Sequence, residues 1–109
     1  QEKIIIDPGI GFGKPSEVDL EIIRELDRFC SLGHPVLVGV SRKAFIGDLL
    51  DQSDPSKRLT GTIAATSVAV ANGANLIRTH DVEEGKIAAK VGKALRRVSA
   101  ESENRESAE

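Results

Sequence analysis

Three times along this chain, a short continuous run of apolar residues is followed by a polar loop and then by apolar residues at helical spacing. The runs lie at Lys3 to Ile6, Val36 to Val40 and Asn75 to Thr79. They are too short for helices and too uniformly apolar to leave one face in water, which is how strands of a parallel sheet read. Strands alternating with helices predict an α/β fold of three βα units with parallel strands. Three units leave two open sheet edges and do not close a barrel. A strand pattern that begins almost at Gln1 adds to the expectation that an upstream portion is missing.

The intervening segments carry helix signals. Ser16 reads as an N-cap, with Asp19 as an approximate capping box, and Val18, Ile22, Leu26, Phe29 and Cys30 form one apolar stripe ending near Gly33. A polar loop containing the apolar stretch Phe45 to Leu50 follows the second strand. Asp54 caps the next helix, with Pro55 at its first position. That helix runs to Asn72 with Leu59, Ile63 and Val70 on its apolar face, and Gly73 ends it. Asp81, with Glu84, caps the last helix, whose expected buried stripe is Val82, Ile87, Val91, Leu95 and Val98. Residues 1–98 are read as the folded part, and the polar segment 99–109 as a disordered tail.

Composition excludes several functions. With three Phe and neither Trp nor Tyr, the core must be built from Ile, Val, Leu and Ala. A net charge of -2 gives no global basic field for nucleic acid or an anionic membrane. No apolar run approaches the roughly 20 residues of a membrane span. The single cysteine, Cys30, pairs with no other in the chain, completes no metal motif and reads as a small buried hydrophobe; a reducing cytoplasm suits it.

Chemistry is expected where the strands end, because parallel α/β folds place their sites at the C-terminal ends of strands. By strand alternation, Ile5 shares a face with Asp7, Gly39 with Ser41 and, if the strand extends, Lys43, and Leu76 with Arg78 and His80. If these faces point inward, one carboxylate, cationic and hydroxyl groups and a histidine meet at one mouth. That set suits a polar heterocycle carrying an anionic leaving group. Each residue also has a plainer reading. Asp7 starts a turn, Arg42, Lys43 and Lys14 are solvated loop charges, His80 is an ordered polar residue, and Asp81 is a helix cap. Arg78 is harder to dismiss, since an Arg within an apolar strand needs an anionic partner. The loop Gly9-Ile10-Gly11-Phe12-Gly13-Lys14 is neither a Walker loop, having three residues before Gly13-Lys14 and Pro15 after, nor a dinucleotide fingerprint, having Lys at position 14. Its glycines allow backbone to approach a flat ligand beside Phe12.

Four segments, taken in order and spacing, resemble dihydropteroate synthases: Asp7-Pro8-Gly9-Ile10-Gly11-Phe12-Gly13-Lys14, Leu37-Val38-Gly39-Val40-Ser41-Arg42-Lys43, Arg58-Leu59-Thr60-Gly61-Thr62 and Ile77-Arg78-Thr79-His80-Asp81-Val82. The resemblance implies that the chain is the last three βα units of a TIM (β/α)8 barrel. It implies an enzyme of folate biosynthesis that joins hydroxymethyl-dihydropterin pyrophosphate to para-aminobenzoate and releases pyrophosphate, with Mg2+ assisting its departure. By the same resemblance, Asp7 bonds the pterin ring, Lys43 contacts it from another side, and Gly11 and Phe12 pack about it. Ser41 lies near para-aminobenzoate, and Arg78 and His80 bind the pyrophosphate. Lys43, Arg78 and His80 are then the expected catalytic groups. The family's metal-binding Asn loop belongs to N-terminal strands without a counterpart here, so no metal ligand is assigned and the isolated chain is expected to be inactive. Cytoplasmic location, small-molecule substrates and a homodimer of the full enzyme complete the expectation. A related reading is a pterin-binding enzyme that moves a methyl group from a reduced folate to a corrinoid. A reading from another class is a non-catalytic half-barrel that binds pterins or anions.

Overall fold

The computed structural model describes residues 4–11 and 15–96. Among them, strands β1 (Leu37–Val38) and β2 (Leu76–Ile77) pair in parallel, with Leu37 opposite Leu76 and Val38 opposite Ile77. The third expected strand is reduced to one parallel bridge, Ile6 opposite Val36. It is held by hydrogen bonds of 2.8 Å from the Ile6 N–H to the Pro35 carbonyl and from the Leu37 N–H to the Ile6 carbonyl. The expectation of three βα units is corrected accordingly: the described residues hold one two-stranded sheet and a bridge. Ile4 and Ile5 are 48% and 53% exposed, so this apolar run lacks the two-sided cover that sustains a buried strand. The α/β class and the parallel direction stand.

Five α-helices are described. The first expected helix is two, α1 (Ser16–Arg24) and α2 (Leu26–Cys30), broken at Glu25. Ser16 is not the cap; it is the first helical residue, and its hydroxyl donates to the Asp48 carboxylate. The inward face carries Asp19, Ile23 and Leu26, whereas Val18 is 41% exposed. The apolar stretch after β1 is itself a helix, α3 (Ala44–Leu50), which buries Phe45 and Ile46. Asp54 caps as expected, accepting from the Ser56 N–H, but the turn it starts is a short 3-10 element, Pro55–Lys57. The long helix α4 begins afresh at Leu59 and ends at Ala71. Its buried side is Thr62, Thr66, Ala69 and Val70, with Leu59 and Ile63 half-buried.

Helix α5 (Val82–Ala94) departs most from expectation. Val82, Ile87, Val91 and Leu95 are 59%, 63%, 48% and 69% exposed, and Val98 lies outside the described residues. The face against α4 is made of small residues, Ala88 and Gly92. A Cβ at Gly92 would stand 2.8 Å from Val70 Cβ, and the Ser67 hydroxyl donates to the Ala88 carbonyl at 2.8 Å. Close backbone approach therefore selects the small face and turns the large apolar side chains outward. Asp81 precedes α5 in the cap position without making a capping hydrogen bond.

The core sits between the sheet and α1 to α4: Ile10, Ile23, Leu26, Val36, Val38, Val40, Phe45, Ile46, Ala69 and Ala74. Each fully buried aliphatic or phenyl side chain contributes about 1.5–3 kcal/mol. The end of α4 is tied down on two sides. Asn72 donates to the Ile23 carbonyl at 2.8 Å, and the Arg96 guanidinium donates to the carbonyls of Val70 and Ala74. Cys30 is half-buried beside Gly73, its sulfur 3.9 Å from the Asn72 carbonyl, and desolvation pushes its thiol pKa up. No helix among the described residues is long and apolar enough to cross a membrane. Phe12, Lys14 and the expected tail at 99–109 lie outside the described residues.

Candidate functional site at the strand ends

Both strands are only two residues long, so the side-chain alternation assumed beyond them does not operate. The expected residues nevertheless come together, brought there by turns. After Ile6, the Asp7 carboxylate accepts from the Gly9 N–H at 2.9 Å, which starts a turn. Its other oxygen faces the Arg78 guanidinium at 3.7 Å. Asp7 thus starts the turn of its plainer reading and also faces Arg78. The Arg78 guanidinium lies over Gly39, where a Cβ would stand 3.1 Å from Nη2. Arg78 is exposed, with 55% of its side chain open, so its charge stays hydrated beside a loose carboxylate partner.

Gly11 adopts φ of 84°, a region open to glycine at no steric cost. This conformation turns the loop so that the Gly11 N–H donates to Asp19 at 2.9 Å, and the Lys43 side chain lies across Gly11. Lys43 Nζ donates to the Ile10 carbonyl at 2.5 Å. Its pKa is lowered, first by desolvation and then by the nearby Arg78, with Asp7 and Asp19 acting in the opposite sense. Lys43 is thus a half-buried cation set among Asp7, Asp19 and Arg78, not a solvated loop charge.

Ser41 and His80 form the adjoining part. Ser41 is buried, 6% exposed. Its hydroxyl oxygen lies 2.7 Å from His80 Nδ1 and accepts from the His80 N–H at 3.2 Å. Nδ1 faces Ser41, which leaves Nε2 as the ring nitrogen directed elsewhere. Arg42 and Asp81 are not the solvated charge and the cap that were expected. Arg42 Nη2 donates to Asp81 Oδ1 at 2.7 Å and Nε to Oδ2 at 3.3 Å, and this pairing raises the Arg42 pKa.

Asp7, Gly11, Ser41, Lys43, Arg78 and His80 therefore lie at the C-terminal ends of neighbouring parallel segments; Phe12 lies outside the described residues. Asp19, expected to complete a capping box, makes no cap; it is 2% exposed and instead fixes the glycine loop. The signal for this burial was present, since Asp19 falls at i, i+4 and i+7 spacing with the buried Ile23 and Leu26. Among the described residues, no three His, Cys, Asp or Glu side chains gather to hold a metal. The Asp7 carboxylate is engaged by Gly9 and Arg78, a poor start for the all-oxygen octahedron that Mg2+ needs. The described residues by themselves do not assemble a site for that ion.

The chain is similar to known proteins over most of its length. The family described as "Pterin binding enzyme" matches residues 1–80. The dihydropteroate synthase of Synechocystis sp. is 50% identical over 94 residues, covering 86% of this chain and 32% of the relative. That of Escherichia coli (strain K12) is 44% identical over 84 residues, covering 77% and 29%. Among solved structures, the Coxiella burnetii dihydropteroate synthase in complex with pteroic acid superposes with a TM-score of 0.81 at 45% identity, over 87% of this chain and 35% of that one. The Thermus thermophilus enzyme in complex with 4-aminobenzoate gives 0.79 at 47% identity, over 85% and 36%. The chain spans about a third of the length of the curated relatives it matches.

Proposed function

This chain belongs to the pterin-binding enzyme family, and we propose that it is the C-terminal part of a dihydropteroate synthase barrel, carrying the pterin-contacting and pyrophosphate-holding half of the active site. The observation that carries this reading is the meeting of Asp7, Lys43 and Arg78 beside the Ser41–His80 pair, at the C-terminal ends of parallel segments. In the reaction, the amine nitrogen of para-aminobenzoate attacks the pterin methylene carbon. The carbon–oxygen bond to pyrophosphate breaks, its electron pair leaves with the pyrophosphate, and the amine loses a proton. A carboxylate at Asp7 accepts from the amide and amine edge of the pterin. Lys43, lying across Gly11, contacts the pterin from a second side. Arg78, with its planar fork of donors, and His80, through Nε2, stabilise the departing anion. Ser41 stands where the para-aminobenzoate end would come.

A chimera tests the proposal. The N-terminal portion of the Synechocystis synthase, joined to residues 4–96 of this chain, is expected to form dihydropteroate with stoichiometric pyrophosphate release that depends on para-aminobenzoate. A folded chimera that instead transfers a methyl group without releasing pyrophosphate would establish the corrinoid methyltransferase reading. One that binds pteroic acid without turnover would support the non-catalytic one. A homodimer of the longer protein and a reducing, cytoplasmic setting belong to the same proposal.

A further inference from the structure

Arg42 has a left-handed backbone, φ 57°, unusual for a residue with a side chain. Such a residue persists only where its surroundings over-determine it. Here three neighbours do so. The Arg42 N–H donates to Thr62 Oγ1 at 2.9 Å, on the first turn of α4. Its carbonyl accepts from Arg58 Nη1 at 2.9 Å, just ahead of α4. Its guanidinium is held by Asp81 at the entry to α5. Arg58 is itself fixed, donating Nε to the Gln52 carbonyl and Nη2 to the Ser53 carbonyl, both at 3.0 Å. Thr62 is 3% exposed, so its hydroxyl is not shared with bulk water.

Both flanking residues of this turn belong to the site. Ser41 bonds His80, and Lys43 lies across the glycine loop. We propose that Arg58, Thr62 and Asp81 are positioning residues. They lock the Arg42 turn, set Ser41 and Lys43 on either side of it, and through Asp81 tie both to the neighbouring His80. The Arg42 guanidinium is then a structural group occupied by Asp81, not an additional anion-binding arm. The significance of this lock rests on the synthase reading, but its test needs no pterin and no phosphate, so failure of ligand binding would sink that reading alone.

The test is made by NMR on the full 109-residue chain. It contains two histidines, and His34 is exposed and serves as the internal reference. In Thr62→Val, hydrogen exchange at the Arg42 amide is expected to speed up about tenfold or more, since a buried hydrogen bond is lost. The His80 ring nitrogen signals should move toward those of His34. Thr62→Ser should restore both. Asp81→Asn, read at the Ser41 and Lys43 amides on either side of Arg42, should shift them and speed their exchange. Loss of stability alone does not move the His80 signals while the fold persists. A Thr62→Val protein with unchanged circular dichroism and wild-type His80 signals would overturn the proposal. If Thr62→Val does not fold, unchanged Ser41 and Lys43 amides in Asp81→Asn would overturn it equally.

Discussion

Asp7 and Arg78 stand 3.7 Å apart, close enough to interact yet without a direct hydrogen bond, so each keeps capacity for a ligand. In the longer enzyme proposed above, Asp7→Asn is expected to weaken pterin binding at least tenfold, as loss of a charged acceptor costs about 1.5–3 kcal/mol. Arg78→Ala should weaken pyrophosphate binding by a similar factor while sparing the pterin. Calorimetric titration with each ligand separates the two, and wild-type affinities would remove the assigned roles. Lys43 has a proton-linked consequence. Its folded pKa lies below its ordinary 10.5, mainly through desolvation. The unfolded chain then holds this proton more tightly, so the Lys43 contribution to stability should rise with pH between the depressed pKa and 10.5. Urea midpoints measured from about pH 8 upward should climb less steeply in Lys43→Met than in the parent. The polar residues at the strand ends were legible as residue types. Their partners were not: Asp81 looks like a cap because of where it stands, and only the folded path of the chain brings Arg42 to it.

At the scale of elements, the contact between α4 and α5 shows why apolar patterning misleads here. A hydrophobic stripe predicts burial only when a partner element lies against it. Ile87, Val91 and Leu95 are largely or half exposed, while Ala88 and Gly92 meet α4. Gly92→Leu should therefore force the two helices apart and cost about 1–3 kcal/mol or more. Chemical denaturation would register this, and an unchanged midpoint would contradict the packing. The parallel pair β1–β2 was legible because its apolar runs are short, rich in Val, Leu and Ile, and bounded by turn residues. Helix α3 was not, because seven residues give too short a window for a helical period to stand out from a buried run. The break at Glu25 likewise leaves no mark in the spacing of apolar residues around it.

For the molecule as a whole, covering about a third of its relatives carries a direct consequence for activity. Residues 1–109 alone should give no measurable dihydropteroate under conditions where the intact Synechocystis enzyme turns over; clear turnover would show that this half-site suffices. The exposed Ile4, Ile5 and Leu76 beside a two-stranded sheet also make the isolated chain prone to edge pairing. Assignment to a barrel rests on the resemblance, since a sheet of this width does not by itself distinguish a barrel segment from an open α/β sheet.

Cys30 offers a clock for the integrity of this assembly. Its half-buried thiol lies at the seam where α2 meets the end of α4, and desolvation raises its pKa, which slows attack by the thiolate. The half-buried thiol meets reagent more readily when α2 moves off Gly73, so the labelling rate rises with those excursions. As the chain's one thiol, it reports without background. Asn72→Ala, which cuts the tie from α4 to the Ile23 carbonyl, should quicken alkylation severalfold under native conditions, as followed by mass spectrometry.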